Sequence, residues 1–157
     1  MTIKNKFDIK EVKEFIENSS KNSIVYIGAD SERFRKKNGL FYAEYTVAVV
    51  VHHDGKHGAK IFGKTIVEKD YDQKQNKPSL RLMNEVYKAA EMYLELAPSI
   101  GDRKFEVHLD INEDILYGSS CVLQQAIGYV KSMCNVSPKV KPNAFAASCA
   151  ADRFTSI

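Results

Sequence analysis

Apolar and polar residues alternate in two periods along this chain, and the switches between them mark its elements. Over residues 8–18 the apolar positions recur at helical spacing, with Ile9, Val12 and Ile16 in one stripe. Asp8 with Glu11 three residues on makes a capping-box pattern, so a short amphipathic helix is predicted to begin there and dock on a sheet. After SSKN the period shortens. In SIVYIGADSE, residues 23–32, Val25, Ile27 and Ala29 alternate with Ile24, Tyr26 and Gly28, and both sets are largely apolar. This predicts a strand buried on both faces, central in an α/β sheet and ending on the carboxylate of Asp30.

The next two runs keep the short period. Leu40 to His53 carries Phe41, Ala43, Tyr45, Val47, Val49 and Val51 on one face. Asp54-Gly55 reads as a turn into residues 59–68, where Ile61, Gly63, Thr65 and Val67 alternate with Phe62 and Ile66. Such a hairpin is antiparallel, so a mixed sheet is expected. A polar loop over 69–77 leads to Pro78 and Ser79, which open a helix predicted to about Ala97 with Leu82, Val86, Ala89 or Ala90, and Tyr93 inward. Pro98 to Arg103 reads as a loop. Lys104 to Asp110 is the next strand, with Phe105, Val107 and Leu109 on one face and Glu106, His108 and Asp110 on the other. Reached through a helix, it is expected to lie parallel to the Asp30 strand by a right-handed crossover, with both acids at one sheet edge. Gly118-Ser119-Ser120 begins a helix whose stripe is Leu123, Ile127, Val130 and Cys134. Pro138 to Lys141 has room only for a short last strand, and NAFAASCAADRF, from residue 143, reads as a small-residue helix.

Composition narrows the class. The 157 residues suit one domain, with 1–22 as the N-terminal helix and its lead-in. A net charge of +3 is compatible with nucleic acid without arguing for it. No apolar run is long enough to span a bilayer and the N-terminus has no signal-peptide pattern, so a cytoplasmic protein away from membranes is expected. Cys121, Cys134 and Cys149 lack metal-ligand spacing and read as buried reduced thiols. His52, His53 and His57 gather at a turn without a clear zinc set, and a solvated turn is the favoured reading.

Asp30 taken alone is as readily a turn or cap residue as a ligand. Three later acids change its meaning. Glu85 lies at the margin of the buried face of its helix, although a surface glutamate is an alternative there. Asp110 closes its strand. Asp152 shares a side with Phe145, Ser148 and Cys149, in a last helical turn where the macrodipole disfavours an anion by about 0.3–1 kcal/mol. An inward anion so placed wants a cation, and Arg153 at the adjacent position does not face it. Arg33, Arg35, Lys36 and Lys37, followed by the Asn38-Gly39 turn, read as a solvated hairpin or, beside a cluster of acids, as a surface for phosphates.

The order helix, three strands, helix, strand, helix, strand, helix, with acids on the first strand, the helix after the hairpin, the fourth strand and the last helix, resembles the ribonuclease H-like superfamily. GADSE, LDIN and AASCAADR look like its small bacterial family of the YkuK type, over roughly residues 23–155. The resemblance implies an α/β fold with a five-stranded mixed sheet, order 3-2-1-4-5, flanked by helices and here extended by an N-terminal helix. It also implies a divalent-metal site of Asp30, Glu85, Asp110 and Asp152. Two Mg²⁺ or Mn²⁺ ions about 3.5–4 Å apart can clamp the attacking water and leaving oxygen of a phosphodiester. Asp30 would bridge them, with Asp110 and Glu85 on one ion and Asp152 on the other. Oxygen donors suit these ions better than zinc. The implied activity is a nuclease on RNA, an RNA–DNA hybrid or branched DNA, with Arg33, Arg35, Lys36, Lys37, Lys139 and Lys141 on phosphates. The alternative is a catalytically weak or inactive module of the same fold that binds nucleic acid or protein; a third reading makes the acids unrelated surface residues. Asp30-Ser31-Glu32 does not fit the Asp-x-Gly-x-Thr phosphate turn of the actin-like and sugar-kinase branches. The zinc deaminase signature is also missing. The oligomeric state stays open.

Overall fold

The alternation over residues 24–69 does fold into a run of antiparallel strands, and a computed structural model shows what packs around them; it describes residues 2–5, 7–53, 58–71, 73–74, 78–112, 120–141 and 144–146. In chain order the elements are β1 (Thr2–Asn5), α1 (Ile9–Asn18), β2 (Ile24–Arg35), β3 (Phe41–His52), β4 (Ala59–Lys69), α2 (Pro78–Ile100), β5 (Lys104–Asn112), α3 (Ser120–Cys134) and β6 (Lys139–Lys141). They form one sheet in the order β1-β4-β3-β2-β5-β6. Counted from the Asp30 strand, five of these stand in the expected order 3-2-1-4-5. The sixth, β1, was not foreseen; it pairs antiparallel with β4, Thr2 opposite Val67. Central β2 has antiparallel β3 on one side and parallel β5 on the other, as the crossover argument requires.

The core lies on one face of this sheet. Val25, Ile27 and Ala29 of β2 join Val47, Val49 and Val51 of β3, and the three helices close over them. α1 contributes Val12 and Ile16; α2 contributes Val86, Ala89, Ala90, Met92, Leu96 and Ile100; α3 contributes Ala126, Val130 and Cys134. Each large aliphatic side chain so buried contributes about 1.5–3 kcal/mol. On the opposite face Tyr26 and His108 meet Phe145, with ring centroids 4.8 and 4.6 Å from it. Of the final helix read from the sequence only residues 144–146 are described, with Ala146 helical; the remainder lies outside the described residues.

Helix ends follow local chemistry. Asp8 caps α1, its side chain accepting the Lys10 N–H at 3.0 Å. α2 outruns its expected end and passes through Pro98, because Leu96 and Ile100 are both buried in the core. Pro98 lies on the exposed side of that last turn. Gly101, at φ +58°, then takes the left-handed cap, and its N–H bonds the Ala97 carbonyl at 3.1 Å. Arg103 fastens this end to α1 by donating to the carbonyls of Glu17, Ser19 and Ser20.

Candidate functional site

β2 and β5 stay in parallel register from Ile24↔Lys104 to Ala29↔Leu109 among the described residues. One residue further along each strand stand Asp30 and Asp110. Neighbouring strands lie about 4.8 Å apart, so the two acids occupy adjacent backbone positions where the ladder stops. Asp30 is not, however, the end of its strand. β2 continues to Arg35 as one arm of a hairpin, with Asp30 opposite Thr46 and Arg35 opposite Phe41. The polar residues of this arm stay in strand conformation because they pair with the apolar and aromatic start of β3.

Ser31 links two of the acids. Its N–H donates to Asp30 Oδ1 at 2.8 Å, and its hydroxyl donates to Glu85 Oε2 at 2.6 Å. Glu85 is 3% exposed, deeper than the marginal position its helical spacing predicts. Successive side chains of a strand point to opposite faces. Ser31 therefore faces α2, and Asp30 the other side of β2.

α2 is pinned at the height of Glu85 by its neighbours. Glu68 of β4 accepts from Asn84 Nδ2 at 3.1 Å and from Lys88 Nζ at 2.6 Å. Beside them Tyr45 is buried; burial pushes its hydroxyl up to about 12, against a smaller opposing effect of its bond with Asn84. It remains a neutral phenol. For Asp110 only the backbone position is described, and Asp152 lies outside the described residues.

The basic run divides by environment. Arg33 is held inward: its Nε is 2.6 Å from Asp70 Oδ2, and its guanidinium lies 3.6 Å from the Phe41 ring centroid. Gln73 braces the same corner, accepting the Phe41 N–H and donating to the Phe41 carbonyl. Arg35, Lys36 and Lys37 are exposed toward the hairpin tip, Lys36 lying over Tyr42 at 4.1 Å. The tip turns at Gly39, φ +83°, with Asn38 Oδ1 accepting the Leu40 N–H. Lys139 is exposed on β6, and Lys141 is described by its backbone alone. At the histidine turn, His53 packs on Phe15 at 5.3 Å, and His57 lies outside the described residues.

Two residues that the sequence reading did not single out organise this region. Ser31 was concealed by its polar surroundings, although its place directly after Asp30 puts it on the helix-facing side. His108 was legible as a polar residue between Val107 and Leu109. It is 1% exposed, with Nε2 3.0 Å from Glu106 Oε1. Its Nδ1 accepts the N–H groups of Phe145 at 3.0 Å and Ala146 at 3.2 Å. Burial lowers its pKa, with the Glu106 hydrogen bond opposing.

Carboxylate oxygens dominate the donors near the ladder end. His108 has both ring nitrogens engaged, and Cys134 is buried in the core with its thiol pushed up to about 11 by burial. An oxygen set fits a hard divalent cation. Among the described residues no group of three or more His, Cys, Asp or Glu side chains is arranged to hold an ion. The side chains of Asp110 and Asp152 stand outside those residues. No helix among the described residues is long and apolar enough to cross a membrane.

A family model described as ribonuclease H-like matches residues 8–156. No curated protein and no solved structure matches the chain.

Proposed function

The chain belongs to the ribonuclease H-like family, and from that premise we propose that it is a divalent-metal-dependent nuclease hydrolysing phosphodiester bonds in nucleic acid. The observation that carries the reading is the joining of Asp30 to the buried Glu85 through Ser31, one residue past the point where the β2–β5 ladder stops. Asp30 and Glu85 lie on the two faces of β2 at that level, beside the strand that bears Asp110.

Asp30, Glu85, Asp110 and Asp152 would hold Mg²⁺ or Mn²⁺. When bound, the ions would supply two-metal charge stabilisation at a phosphoryl oxygen and an activated water. Ser31 keeps the Glu85 carboxylate oriented by its hydroxyl. Arg35, Lys36 and Lys37 on the arm, with Lys139 and Lys141 on β6, would contact phosphates to either side of the ladder end. Arg33, already paired with Asp70, would stiffen the arm.

Thermal melting against Mn²⁺, beside gel assays on RNA, an RNA–DNA hybrid and branched DNA, tests this reading. The expected result is a rise in melting temperature with Mn²⁺ and cleavage of at least one substrate. A rise without cleavage would favour a binding module, and no rise would remove the metal site.

A further inference from the structure

Past Asp30, the β2–β3 arm interleaves aromatic rings with cations. Phe34 stands opposite Tyr42, and Tyr42 in turn opposite Lys69 of β4, so the three form one row on one face of the sheet. Asp30, Glu32 and Phe34 alternate onto the same side of β2, so this row shares the face of Asp30. The two ring centroids are 6.1 Å apart and the planes tilt by 31°. Both rings are partly exposed, and Lys69 is exposed. Lys36 Nζ lies 4.1 Å from the Tyr42 centroid, and Asn38 Nδ2 donates to the Tyr42 hydroxyl at 3.4 Å. A cross-strand ring pair by itself steadies a hairpin. That role is best served by burial and needs no cations around it.

Exposed π surface beside exposed cations suits a chain of bases joined by phosphates. The bases of a duplex are stacked on one another, whereas a single strand can lay its bases on a ring. Glu32 stands opposite Glu44 between the rings and Asp30. These two acids repel phosphates, so the phosphates of a bound strand belong near Lys36 and Lys69, with bases over the rings. We propose that the face of the arm bearing Phe34, Tyr42, Lys36 and Lys69 is a stacking platform for single-stranded nucleic acid. Phe34 lies four residues along β2 from Asp30. That is about 13 Å, the rise of about four stacked nucleotides, so a strand held on the platform reaches the Asp30 edge. As a statement about substrate this rests on the nuclease reading above; the binding itself requires no metal ion.

Fluorescence anisotropy in EDTA tests the platform, with a labelled RNA of about 12 nucleotides, the DNA of the same sequence, and a duplex of each. The parent should bind both single strands about tenfold or more tightly than the duplexes. Phe34→Leu and Tyr42→Leu keep an apolar side chain on the strand. Each should weaken single-strand binding about fivefold or more and leave duplex binding within about twofold. Tyr42→Phe keeps the π face and should stay within about twofold of the parent. Lys36→Gln should lower the salt slope of single-strand binding by about 0.7, the share of one phosphate contact. Parental single-strand affinity in both leucine variants would overturn the proposal. So would duplexes bound as tightly as single strands, polyglutamate bound as tightly as either nucleic acid, or an unchanged salt slope in Lys36→Gln. If a leucine variant fails to fold, the duplex comparison and the salt slope still decide. Because no metal is present, these outcomes leave the metal site untouched. Conversely, a parent that binds single strands in EDTA but cleaves nothing with Mn²⁺ would contradict the nuclease reading and leave the binding surface standing.

Discussion

Ser31 holds Glu85 in place, and removing its hydroxyl exposes how much the buried carboxylate depends on it. Ser31→Ala should destabilise the fold by about 1–3 kcal/mol in urea titration, the range for depriving a buried charged group of a hydrogen bond. A loss within about 0.5 kcal/mol would show that the bond contributes little. His108 makes a second prediction, in pH. Its folded pKa lies below the ordinary 6.5 because burial opposes the charged ring. Below that pH the unfolded chain binds more protons than the folded one. The stabilisation is therefore complete above about 6.5 and declines as the pH falls through the window beneath it. The urea midpoint should be lower at about pH 5.5 than at about pH 7.5, and the drop should shrink in His108→Asn. A drop of unchanged size in that variant would assign the effect to other groups. At this scale the sequence offered four acids as candidates, through strand ends and helical spacing, although β2 runs on past Asp30 to Arg35. It did not show the depth of Glu85 or the roles of Ser31 and His108, because those depend on which partner each side chain meets across the sheet.

The β2–β3 arm shows how an element can hide in polar sequence. Ser31 to Arg35 holds one large apolar residue, Phe34, so its own pattern predicts no strand; register with Phe41 to Tyr45 makes it one. β1 escaped notice for a related reason, since four residues joined to β4 carry too little alternation to read. The arm's rigidity rests on Arg33 and Asp70, whose side chains are 13% and 3% exposed. Arg33→Ala leaves that carboxylate buried without its cation and should destabilise the protein by about 3 kcal/mol. Lys36→Ala at the exposed tip should change stability by less than about 0.5 kcal/mol. Chemical denaturation of the two variants checks the contrast, and equal effects would contradict the structural assignment of Arg33. At the far end of α2, Pro98→Ala restores an N–H to the last turn and should raise the melting temperature; the gain is bounded by the helical penalty of proline, about 3 kcal/mol.

At the scale of the whole molecule, strand order was the most legible feature. A hairpin followed by a helical crossover admits few arrangements, and the expected core order β4-β3-β2-β5-β6 is the one observed. Family membership over residues 8–156 agrees with it. Function reads less directly, because one fold carries many activities and the proposed chemistry rests on a few side chains at one edge. The central claim is that the acids past the β2–β5 ladder act together on a phosphodiester. Its most direct test is Mn²⁺-dependent cleavage by the parent protein and by Asp30→Asn and Asp110→Asn, assayed on RNA, an RNA–DNA hybrid and branched DNA. The account predicts cleavage by the parent and its abolition in both variants, each still folded. Retained cleavage in both variants would contradict it.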